Sequence, residues 1–190
     1  MPSNMTALGI VVLALVAIAV IVALVIVSVR SNRRRRLQRR FGPEYDRAVE
    51  ETGSREQAES MLSRRVEERE QLDIAELEPG VRDRYAREWQ AVQSRFVDDP
   101  AGALRQADEL LTRLMRERGY PSDEFEQRAA VASVDHAPAV DRYRRAHEMI
   151  DRDGDADTDQ MREAMVGYRE LFERLLEQPV RPAAAQEVKP

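Results

Sequence analysis

ALGIVVLALVAIAVIVALVIVSV, from Ala7 to Val29, is followed at once by RSNRRRRLQRR, from Arg30 to Arg40. The first stretch holds 23 residues without a charge: sixteen are Val, Ile or Leu, five are Ala, and Gly9 and Ser28 complete it. A helix of that length reaches about 35 Å against a hydrocarbon layer of about 30 Å, which predicts a membrane span. Insertion of so many aliphatic residues is favourable by about 5 to 10 kcal/mol. Their β-branching disfavours helix in water, but in hydrocarbon a lone segment can satisfy its backbone only as a helix.

The arginines decide direction. A cleaved signal peptide has a basic start, a shorter apolar run and a small-residue cleavage site, whereas this chain opens MPSNMT and places its cations after the apolar part. Arg30, Arg33, Arg34, Arg35, Arg36, Arg39 and Arg40 all follow the span, which predicts an N-out, C-in single-pass protein of the cell membrane with a cytoplasmic domain. The same seven arginines are the candidate membrane-surface contacts, facing anionic headgroups of the lipid bilayer.

Residues 41–190 are acidic. All 35 acidic side chains lie there with 23 basic ones, a net charge of −12. Such a domain is repelled by nucleic acid and by the anionic bilayer surface. No cysteine occurs, so thiol nucleophiles, zinc–thiolate sites and iron–sulfur clusters are excluded by inventory.

The remaining chain reads as helices separated by local stop and start signals. Gly42-Pro43 predicts a hinge, and a short helix from Glu44 to Glu51 shows Tyr45 and Val49. Ser54 with Gln57 resembles a capping box opening a helix to about Leu72. From Pro79, Val81, Tyr85, Trp89, Val92 and Phe96 recur at helical spacing and predict a core stripe. Asp99-Pro100 starts, and Gly119 with Pro121 stops, a helix carrying Leu104, Ala107, Leu110, Leu111, Leu114 and Met115. Ser122 is the expected cap of the next helix, Val134 to Pro138 the expected turn after it, and Val140, Tyr143, Ala146 and Ile150 the stripe that follows. The last helix begins near Thr158 and shows Met165, Tyr168, Leu171, Phe172 and Leu175. The expected plan is all-α: a single N-terminal transmembrane helix, then an irregular antiparallel bundle of about six helices. Its segments are an extracytoplasmic N-terminus at 1–6, the span at 7–29, an arginine-rich juxtamembrane segment and hinge at 30–42, the helical domain at 43–177 and a disordered tail at 178–190.

Chemistry-bearing motifs are few. Asp151, Asp153, Asp155, Asp157 and Asp159 alternate like calcium-loop ligands, but Ala156 and Arg162 occupy the positions that need Gly and a bidentate Glu. A solvated loop capping the last helix accounts for them. His136 is expected in a turn and His147 at the edge of an apolar stripe, too far apart on one helix to share a metal. No Walker loop, GxGxxG, GxSxG or HExxH occurs. No catalytic, cofactor-binding or metal residue is therefore assigned, and no cofactor is expected.

The runs RRFGPEYDRAVEETGSREQAE (39–59), RYAREWQAVQSRFVDDPAGALRQADELL (84–111) and RGYPSDEFEQRAAVASVDH (118–136) resemble a family of uncharacterised bacterial, largely actinobacterial, single-pass membrane proteins. The resemblance implies a discrete helical domain and transfers no activity. The functional expectation is a non-catalytic, membrane-anchored scaffold that binds a partner protein. The alternatives are an enzyme or small-ligand module with a pocket between the Tyr85/Trp89 helix and the last helix, and a membrane or envelope-stress sensor acting through the arginine collar.

Overall fold

The computed structural model describes residues 3–121, 124–151 and 156–177; side chains are described from Ile18 onward, apart from those of residues 19, 26 and 151. Seven helices are present among them: α1 (Ser3–Phe41), α2 (Pro43–Thr52), α3 (Arg55–Gln71), α4 (Pro79–Arg95), α5 (Pro100–Glu117), α6 (Phe125–Asp151) and α7 (Thr158–Glu177). No strand occurs among the described residues, so the all-α expectation holds. The chain divides into two units, residues 1–39 and 40–190.

In the first unit, Ile18, Val20, Ile21, Val22, Leu24, Val25, Val27 and Val29 are all exposed. Successive residues turn by about 100° around a helix, so these side chains make the 18–29 stretch of α1 apolar on every side. Among the described residues no helix is long and apolar enough to cross a membrane. In the expected span, the side chains of residues 7–17, 19 and 26 lie outside those described.

In the second unit, local signals set the helix ends. The Asp99 carboxylate accepts from Gly102 N–H at 2.9 Å, the expected cap of α5. At the other end of α5, Gly119 (φ 93°) donates to the Arg116 carbonyl and Tyr120 N–H to that of Met115, each at 3.0 Å, closing a Schellman turn. Asp157 caps α7, accepting from Gln160 N–H at 2.8 Å while the Gln160 side chain accepts from Asp157 N–H at 2.9 Å. Ser54 departs from expectation: it precedes α3 in extended geometry and its side chain makes no capping bond. The Ser122 cap, Asp151 to Asp155 as calcium ligands and the 178–190 tail lie outside the described side chains.

Helices α4 to α7 and the segment leading into α4 share one apolar core, which includes Ile74, Leu77, Tyr85, Trp89, Val92, Leu110, Leu114, Tyr143, Leu171 and Phe172. The predicted stripe of α4 supplies its inward face, and Trp89 stacks on Phe172 with ring centroids 4.6 Å apart. Helix α7 packs most extensively on α6 and then on α5. Gly167 permits the closest approach, since a Cβ there would stand 2.9 Å from the Arg142 carbonyl oxygen.

The expected turn at Val134 to Pro138 is a kink inside α6. His136 alone leaves helical geometry (φ −133°, ψ 33°). Pro138 has no N–H to offer the carbonyl four residues earlier, that of Val134. Arg40 Nε donates to this carbonyl at 3.0 Å, replacing the missing helical bond.

Candidate functional site

Helices α2 and α3 form an arm that packs on itself and on α6. Its own apolar content is small: Tyr45, Ala48, Ala58 and Leu62 are buried, and none belongs to the core of the bundle. Charged groups hold the remaining seat. Glu44, on the first turn of α2, is 1 % exposed and faces Arg144 of α6, which is equally buried. Arg144 Nε lies 3.2 Å from Glu44 Oε1, Arg65 Nη1 lies 3.7 Å from Glu44 Oε2, and a second Arg144 nitrogen pairs with Glu126 at the surface.

Burial pushes the Glu44 carboxyl above its ordinary range, outweighing the attraction of Arg144 and Arg65, and it lowers the Arg65 guanidinium. Glu44 Oε1 and Arg144 Nε are close in space yet lack hydrogen-bond geometry. Ion pairs buried in this way contribute little net stability, because desolvation offsets the Coulomb attraction. Two further pairs join arm and α6, Arg69 with Asp135 at 2.5 Å and Arg47 with Glu148 at 3.8 Å, and Arg40, at the end of α1, also reaches Asp135 at 3.7 Å.

A second polar group lies inside the bundle. Asp108 Oδ1 accepts from Tyr168 Oη at 3.2 Å and stands 3.2 Å from His147 Nδ1. The His147 ring stacks on Phe125 at 3.7 Å, and Tyr143 meets Tyr168 edge-on at 5.5 Å. Asp108 thereby fixes the imidazole and ties α5, α6 and α7 together. Burial raises the Tyr143 hydroxyl to about 12, so it stays protonated. Outside, an open groove between α4 and α5 is lined by Arg84, Tyr85, Glu88, Arg113, Arg116 and Glu117. Its charges largely neutralise one another, with Arg84 bridging to Glu117 at 3.1 Å and Arg113 to Glu88 at 2.7 Å.

The sequence-derived candidates are dispersed. Of the seven arginines, Arg40 is committed to Val134 and Asp135 of α6; Arg30, Arg33, Arg34, Arg35, Arg36 and Arg39 belong to the first unit. His136 sits in the kink, buried, and burial lowers it to about 4. His147 is half-buried against Phe125, at the stripe edge where its spacing places it. Among the described residues no group of three or more His, Asp or Glu side chains could hold a metal ion. The Trp89–Phe172 stack stands between α4 and α7, where a ligand pocket was one expectation.

Sequence reasoning missed Glu44, Arg144 and Asp108. The first two are 100 positions apart in a chain with 35 acidic and 30 basic residues, so nothing local marks them as partners. No family model, curated protein or solved structure matches the chain.

Proposed function

We propose that this protein is a non-catalytic helical scaffold tethered to the inner face of the cell membrane, where its domain binds a protein partner. The observation that carries the proposal is the first unit's helix: from Ile18 to Val29 its described side chains, Ser28 apart, are apolar and exposed on every side. Such a surface requires apolar surroundings, and the uncharged sequence back to Ala7 extends it to the length of a bilayer span. The arginines on one flank only give the N-out, C-in direction. The acidic domain then stands off the anionic surface, with its charged faces presented to the cytoplasm.

Reporter fusions at the C-terminus test the topology: a cytoplasm-active reporter should work and a periplasm-active one should stay silent, and the reverse pattern rejects the orientation. For the scaffold role, a photo-crosslinker at Arg64, on the exposed side of α3, should give a discrete adduct in living cells. Adducts absent there and at exposed positions of α4 and α7 would refute partner binding.

A further inference from the structure

We infer that the α2–α3 arm is a strap that opens from α6 as a unit while the α4–α7 bundle stays folded. Three observations converge on this. The buried apolar residues of the arm lie outside the core of the bundle, which begins at Ile74. The arm packs on α6, and the ion pairs across that seat, Arg47–Glu148, Arg69–Asp135 and Glu44–Arg144, join arginine to carboxylate, the last of them buried and imperfectly bonded. The chain leaving the arm is fastened to the bundle independently of the arm: Ala75 N–H donates to the Arg118 carbonyl at 2.9 Å. Arg118 in return donates to the carbonyls of Ala75 at 3.1 Å and Leu175 at 2.7 Å.

Segments with little apolar contact and a charged seat open at lower free energy than a filled core. The strap begins just past Arg40, which is bonded to Val134 of α6, so opening frees about thirty residues between two points that both stay fastened to the bundle. The opening itself does not depend on membrane insertion or on a partner, so it stands or falls separately from the proposed function.

Amide hydrogen exchange read by mass spectrometry on the full chain in detergent micelles tests this. Peptides from 43–71 should exchange at least about tenfold faster than those from 100–117 and 158–177. Arg144→Met should speed the 43–71 peptides by about a further hundredfold and leave the other two within about threefold. Leu62→Ala, in the apolar part of the seat, should give the same pattern. One common rate in the wild-type chain, or loss of protection in the bundle in either variant, overturns the inference.

Discussion

At the centre of the bundle Trp89 lies flat on Phe172; at the centre of the arm's seat Glu44 faces Arg144. Both sites exclude water, but they respond to it oppositely. Apolar rings gain free energy by leaving water, whereas a carboxylate and a guanidinium must recover by mutual attraction what they lose in hydration. The bundle is thus held by a contiguous core, and the arm by a seat whose central contacts nearly cancel.

That contrast is open to attack at four points, the largest effect first. Trp89→Ala should remove about 3–5 kcal/mol from the bundle. Denaturant titration followed by far-UV circular dichroism would show α4 to α7 lost together; a loss confined to one helix would contradict a shared core. Next comes pH. His136 is buried at about 4 against an ordinary 6.5, with Asp135, Arg118, Arg174 and Arg69 around it. Its contribution is complete above pH 6.5 and is lost as pH falls toward 4, about 3 kcal/mol in all, and His136→Gln should flatten that dependence.

Glu44 has the opposite sign. Its folded pKa is raised, so acidification through that pKa relieves the buried charge and tightens the arm while the bundle weakens. Exchange of the 43–71 peptides, corrected for intrinsic rates, should therefore slow relative to 100–117 as pH falls through the raised Glu44 pKa. Third, adding Glu44→Leu to Arg144→Met should restore most of the protection lost in the single variant, because no unpaired carboxylate remains in the seat. The smallest effect belongs to Asp157→Ala, about 1 kcal/mol from loss of the α7 cap, visible as fraying of the first turn without change in the arm.

Much of the bundle was legible because its instructions are local. The Asp99-Pro100 start, the Gly119 stop and the four-and-three spacing of the α4 stripe each act within a few residues, and each appears where expected. The Pro138 kink was legible as a break, but not that Arg40 would supply the lost bond from 94 positions away. Arg40 reads in sequence as one more member of a basic run; only tertiary contact separates it from Arg39. The Ser54 box failed for a similar reason: the Ser–x–x–Gln pattern is permissive, and its side chain makes no capping bond. The Asp108–His147–Tyr168 group joins three helices, and no spacing along the chain announces it.

The chain has a single tryptophan, and it stands in the stacked, buried pair with Phe172. Its intrinsic fluorescence therefore reports on the bundle alone, and a red-shift marks water reaching that pair. Detachment of the strap would leave the tryptophan emission unchanged, so agreement between that emission and a probe placed on α3 is itself a measure of whether the two regions move as one.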